Sequence, residues 1–478
     1  MLWIAVTLPR LPLEVFQRGS PSTKSEREPW IVTDAHRVGI ANDVALAKGI
    51  RPGMALSAAY ALAPSMHVKQ RDRLREADAI EHLAAWAGQF TPNVVLENQA
   101  GLLLEVSGSL SLFGGLEPIM TRLRTGILAL GFTASMACAP TARAAWWLAL
   151  SGKETVIREH DSLAAKLAAL SIYTLGWSSD QLTMLTAIGT NTLGEVMALP
   201  RAGFAKRFGR ALLTELDQAC GRIAEPRRFF TPPEQFEARL ELPAAVEAAS
   251  ALLFAAKRLL TELAGFLVAR ASGVQHFDLL LEHDDLPPTV ITINLVTAHR
   301  DEPHFTLLVR ERFDRLTLPA PVYAIALRAP VLTPVSGVNL TLFPDENEAS
   351  TDWTRLVERL RARLGAAAVH GLTIVAEHRP EYVVRAAEPG TQPPPLHFGE
   401  RPLWLFTTPR PLLEIDAKPF LRGRLALMAG PERIESGWWD GNDVARDYFI
   451  AQDEDRSLLW VFRERSDARG WFLQGLFA

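Results

Sequence analysis

The stretch from Arg201 to Arg210 carries four basic side chains, Arg201, Lys206, Arg207 and Arg210, and no acid. Cations at that density neutralise phosphates, which supplies most sequence-independent affinity for nucleic acid. Just before it, residues 185–200 have the pattern of two short helices around a turn at Gly189. A helix-hairpin-helix of this kind can present backbone N–H groups at a helix start to a phosphate. The alternative is a small helical subdomain with a solvated charged face. The candidate DNA contacts are Gly189, Arg201, Lys206, Arg207 and Arg210.

Two other constellations carry chemistry. Asn339-Leu340-Thr341-Leu342-Phe343 is a compact apolar knot, flanked by Pro334 and Pro344 and followed by an acidic run. An extended peptide of this type fills an apolar groove with its Leu and aromatic side chains while main-chain and amide hydrogen bonds set register. A terminal edge strand would read the same way. Glu282-His283-Asp284-Asp285 has metal-binding residue types, yet it lies between two strand patterns and precedes Pro287-Pro288, so a polar hairpin turn is the preferred reading.

The elements that must position these residues belong to a chain of 478 residues, 48% hydrophobic, long enough for several domains. No apolar stretch approaches a membrane-spanning length, and the opening run Leu2 to Leu8 is too short for a span or a signal peptide. Cys138 and Cys220 are the only cysteines, which excludes a disulfide framework and a Cys-rich zinc site. A cytoplasmic location is expected, with no cofactor and no metal. The net charge of −4 means that DNA binding has to rest on local patches.

Along the chain, residues 2–8 read as a buried strand ended by Pro9 and Pro12. Residues 232–333 read as an α+β sandwich, with a helix near 244–269 and strands at 277–282, 289–295 and 322–327. Residues 351–364 form an amphipathic helix with Trp353, Leu356, Val357, Leu360 and Leu364 on one face, ended by Gly365. Residues 386–395 read as a linker. From Arg401 onward the chain holds five of its twelve Trp residues, and strands at 445–451, 458–465 and 471–477 suggest an antiparallel meander. Most of its rings are assigned to a core, and some to a partner surface.

The opening strand, the segment from Val38 to Met54, and Gly101-Leu-Leu-Leu-Glu-Val-Ser-Gly followed by Leu112-Phe113-Gly114-Gly115 resemble, in order and spacing, the palm and fingers of Y-family translesion DNA polymerases. Alignment on Glu14 and on Leu104-Glu105-Val106 puts Ala5, Thr7, Ala100 and Gly101 where that family carries metal-binding carboxylates. Two-metal phosphoryl transfer needs those oxygens, because Mg²⁺ is a hard cation held by carboxylates. The family's Tyr-x-Ala-Arg triphosphate motif falls on Asp43-Val44-Ala45-Leu46, and its palm Lys falls on Trp146. The resemblance therefore implies a polymerase scaffold with no catalytic residues.

His378-Arg-Pro-Glu381, residues 401–405 and 430–439, Arg446-Asp-Tyr448 and the Gly475-Leu-Phe-Ala ending resemble the tail of the ImuB family, the polymerase-like subunit of the bacterial damage-inducible mutasome. The resemblance implies a noncatalytic hub for damage-induced translesion synthesis and mutagenesis. Its implied partners are the sliding clamp, bound through Asn339–Phe343, an ImuC-type error-prone C-family polymerase, an ImuA-type RecA-like protein and DNA, with no membrane. The expected fold is multidomain α/β and α+β. Palm and fingers take 1–163, a helix-hairpin-helix thumb 164–230 and a little finger 231–333. A clamp-binding linker follows at 334–350, then a helix and Pro-rich linker at 351–400 and an aromatic-rich β domain at 401–478. A divergent active Y-family polymerase using Glu105, Glu97 or Asp34 is the alternative from the enzyme class. A DNA-binding module unrelated to replication is the third reading.

Overall fold

The strand Trp3–Thr7 is buried at all five positions because it lies at the centre of a five-stranded sheet covered on both faces. A strand buried on both sides has no polar face to alternate with, which explains its continuous apolar run. The computed structural model describes residues 1–19, 27–97, 101–335, 346–396, 399–465 and 469–477. These form two compact units, Met1–Arg363 and Leu364–Ala478.

In the first unit the sheet order is Val94–Glu97, Gly101–Glu105, Trp3–Thr7, Ser135–Ala139, Thr155–Val156, antiparallel except for the last pair. Ile4, Val6, Leu102, Leu104, Met136 and Cys138 face the helices Arg73–Ala87 and Leu116–Ala129. Trp3, Ala5, Leu103 and Ala137 face the helix Ala142–Leu150 and a helical subdomain running to Ala219. That subdomain joins the palm-like core through an edge-to-face contact of Trp147 with Trp177, centroids 5.9 Å apart. A three-stranded sheet, Arg37–Ala41, Trp30–Asp34 and His67–Gln70, carries two short helices and its own small core.

A second, antiparallel sheet has the order Thr289–His299, Ser272–Glu282, Val322–Ala329, Phe236–Val246, and buries one face against the helices Leu253–Ala269 and Glu302–Phe313. The helix expected near 244–269 starts later than the sequence suggests, since residues up to Val246 stay in the strand, with Val246 opposite Val322. The hairpin reading of residues 282–285 agrees with the structure: Glu282 pairs with Arg239, and both His283 nitrogens are engaged, by the Pro321 carbonyl and the Thr289 hydroxyl. The Leu253–Ala269 helix is keyed to the palm-like helices by Trp86. A β-carbon on Gly126 or on Gly265 would come within 2.1 Å of that indole. Beside it the buried pair Arg18–Glu262 ties the chain after the first helix to the same element.

The helix Glu346–Leu364 buries Val357 and Glu358, while Trp353, Leu356, Leu360 and Leu364 stay exposed. Of the apolar face read from the sequence only Val357 packs; the other four side chains are exposed. In the second unit, six antiparallel strands run in the order Lys418–Phe420, Trp404–Ile415, Gly470–Leu476, Leu458–Glu464, Val444–Gln452, Ala426–Ser436. Trp460 and Trp471 are core, with Trp460 stacked on Tyr448 at 4.3 Å, whereas Trp404, Trp438 and Trp439 are 65%, 82% and 58% exposed. A short hairpin of Gly371–Ile374 and Val384–Ala387 occupies part of what reads as linker.

Candidate functional site

Register places Ala5 opposite Leu103 and Thr7 opposite Gly101. Ala5 and Thr7 are two residues apart on one strand and point to the same face, toward the Ala142–Leu150 helix. There the space is filled. The buried Trp146 indole packs in the same cluster as Ala5, and a β-carbon on Gly101 would stand 3.1 Å from its Cζ3 and 2.0 Å from the Val6 carbonyl oxygen. The Thr7 hydroxyl is buried and donates to the carbonyls of Ser135 at 3.3 Å and Ala149 at 3.5 Å. Ala100 lies outside the described residues.

The acids of the alternative enzyme reading are committed elsewhere. Glu97 is buried between Arg227 and Arg143, in a network that also holds Glu225. The Glu105 carboxylate accepts from the N–H groups of Ser107 at 3.1 Å and Leu2 at 3.4 Å. Burial alone would raise its pKa; those hydrogen bonds outweigh burial and hold it below the usual range. Asp34 lies on the three-stranded sheet beside Arg71 and Arg73.

At the fingers-like position, Asn42 caps the helix Asp43–Ala47 by accepting from Ala45 N–H. Asp43 is exposed and paired with Arg10 at 2.7 Å, and Ala45 is fully buried. Leu46 packs on the small core beside it. Arg10, Asn42, Asp43, Glu14 and Arg258 line a cleft of about 390 Å³. Glu14 accepts from Thr133 N–H at its floor, and burial pushes its carboxyl pKa up.

In the helical subdomain the hairpin reading has a structural counterpart. Ser179–Thr186 and Leu193–Ala198 flank a turn with Gly189 at φ +82°, and nothing lies within 4 Å of where its β-carbon would be. The N–H groups expected to meet a phosphate, however, are already used. Glu195 accepts from Asn191 N–H at 2.7 Å and Thr192 N–H at 2.9 Å, and Leu193 N–H goes to the Leu170 carbonyl. The capping carboxylate takes the place an anion would occupy. Arg201 is also engaged, in a two-point pair with Asp217. Lys206, Arg207 and Arg210 are exposed and make no ion pair among the described residues.

Residues 14–149 match the family model described as the impB/mucB/samB family. Protein ImuB of Caulobacter vibrioides, in two strains, is 30% identical over 457 residues, covering 90% of this chain and 100% of the relative. The chain belongs to the ImuB family. Solved structures similar to this ImuB-family chain include DinB from Sulfolobus solfataricus, at 18% identity and TM-score 0.40, and a ternary complex of Dbh DNA polymerase, at 18% and 0.41. Each covers 70% of this chain and 100% of the other.

For this ImuB-family chain, Asn339–Phe343 lies outside the described residues. Trp146, which falls at the palm Lys position in sequence, brings its ring beside Gly101, a contact its sequence position does not reveal. The helical run Ala142–Leu150, apolar except for Arg143, is the sequence signal for it. Reasoning from the sequence also did not pair Glu97 with Arg227 and Arg143, which come together only through the sheet. No helix among the described residues is long and apolar enough to cross a membrane.

Proposed function

We propose that the chain is a noncatalytic polymerase-like scaffold for damage-induced translesion synthesis. It links an ImuC-type error-prone C-family polymerase and an ImuA-type RecA-like protein to the sliding clamp at DNA. The observation that carries this reading is the Trp146 indole beside Gly101, 3.1 Å from where a β-carbon there would stand, in the core cluster that also buries Ala5. A two-metal centre needs carboxylate oxygens about 2 Å from each cation, and an indole and a methyl group offer none. Membership of the ImuB family supports the mutasome role, and the exposed cations Lys206, Arg207 and Arg210 support weak, sequence-independent DNA contact.

The test has two arms. Purified chain should not extend a primer with Mg²⁺ or Mn²⁺, and it should retain clamp, C-family polymerase and RecA-like protein in a pull-down. Templated incorporation that disappears on Glu105→Ala would return the chain to the enzyme class. Absence of all three partners would favour a DNA-binding module outside replication.

A further inference from the structure

The helix Glu346–Leu364 is fastened to the second sheet of the first unit by an unusual polar contact. Glu358, only 2% exposed, comes off its buried face. One carboxylate oxygen accepts from Val296 N–H at 2.6 Å, and the other lies 2.6 Å from His304 Nε2. The Nε2 of His299 is 4.0 Å from the first oxygen, and the two imidazole centroids are 5.1 Å apart. His299 ends a strand, His304 is in the Glu302–Phe313 helix and Glu358 comes from a third element. The three candidate donor atoms all lie within 4.8 Å of one another.

The geometry points to a binding site for a borderline divalent transition-metal cation of the zinc class, held by His299, His304 and Glu358. The donor set decides the class. Two imidazoles and one carboxylate suit Zn²⁺ or a neighbouring first-row ion, whereas Mg²⁺ and Ca²⁺ require oxygen-dominated shells. Three protein ligands leave a fourth position for water, and the His299 side chain is 17% exposed. Ligands about 2.0–2.1 Å from a tetrahedral ion sit about 3.3 Å from each other. Binding therefore opens the His304–Glu358 contact slightly and draws His299 inward, with the ion replacing the shared proton of that hydrogen bond. The nearby Arg355 guanidinium is balanced by Asp301 at 3.7 Å. The consequence is a cation staple between a helix and the sheet domain that precedes it.

The full chain, stripped with a chelator, should take up one equivalent of Zn²⁺ that excess Mg²⁺ does not displace, and its melting temperature should rise. Loaded with Co²⁺ instead, it should show the intense visible bands of a four-coordinate ion. His299→Ala and the near-isosteric Glu358→Gln should each weaken Zn²⁺ binding by about tenfold or more and abolish the thermal shift, while His378→Ala, at an exposed histidine of the second unit, should change neither. No bound equivalent, equal binding by both variants, or a weak octahedral Co²⁺ spectrum in the unmodified chain would each overturn the site. The spectrum needs no variant, so it decides even where a substitution unfolds the protein.

Discussion

Gly101 and Val6 approach too closely for a side chain between them: a β-carbon on Gly101 would stand 2.0 Å from the Val6 carbonyl oxygen and 3.1 Å from the Trp146 Cζ3, so a Glu at 101 does not fit without backbone movement. This sets the first prediction. Restoring carboxylates with Ala5→Asp, Ala100→Asp and Gly101→Glu together should give no primer extension, because Asp43, Leu46 and Trp146 still provide nothing to hold a triphosphate. Gly101→Glu alone should lower the melting temperature by an amount equivalent to about 1–3 kcal/mol of overpacking. A gain of polymerase activity in the triple variant would show the palm to be one reversion away from catalysis.

The second prediction separates two kinds of basic residue in the helical subdomain. Lys206→Ala with Arg207→Ala and Arg210→Ala should weaken DNA binding and flatten its dependence on salt, by about 0.9 in log–log slope for each phosphate that is no longer neutralised. Arg201→Ala should chiefly cost stability, since its guanidinium is spent on Asp217 at 2.6 Å and 2.9 Å. Salt titrations by fluorescence anisotropy distinguish these outcomes. An unchanged slope in the triple variant would move the DNA-binding role to another surface.

Acid should loosen the second unit through Glu377. Its hydrogen-bonded pair with the buried Arg379, at 2.8 Å, holds the carboxyl well below its ordinary 4.5, at about 2. A depressed carboxylate stabilises the fold above its unfolded pKa, and that contribution is lost as pH falls from about 4.5 towards about 2. Glu377→Gln should therefore melt lower than the unmodified chain at pH 7, and the gap should close across that acid window. A gap that is constant with pH would assign the role to packing instead.

What the sequence made legible was what local pattern determines. The strand at residues 3–7 and the meander after 444 announce themselves by apolar runs between turns, and the Gly189 hairpin by two short helical patterns around its glycine. What it hid depends on which face meets which neighbour. The stripe Trp353, Leu356, Val357, Leu360 and Leu364 has helical spacing, yet only Val357 of it packs, beside Glu358, whose partners Val296 and His304 lie on other elements. Aromatic density after 401 marked a β unit without revealing that three of its Trp rings face outward. The hairpin pattern likewise does not single out Glu195, which occupies the Asn191 and Thr192 N–H groups.

The last prediction concerns Asn339–Phe343. Leu342→Ala with Phe343→Ala should abolish clamp binding while leaving the melting temperature unchanged, since a linker peptide can lose two anchors without touching a core. Anchors of this type typically cost about 2 kcal/mol or more each on truncation, enough to turn a micromolar interaction into one too weak to detect. If the pair instead extends the sheet domain as a strand, the same change should lower the melting temperature, because that domain already pairs Thr333–Pro334 with Ser272 and Gly273. Clamp affinity and thermal stability measured on one double variant separate the two readings. Intact binding, or binding that disappears only together with unfolding, would remove the clamp-binding role from this segment.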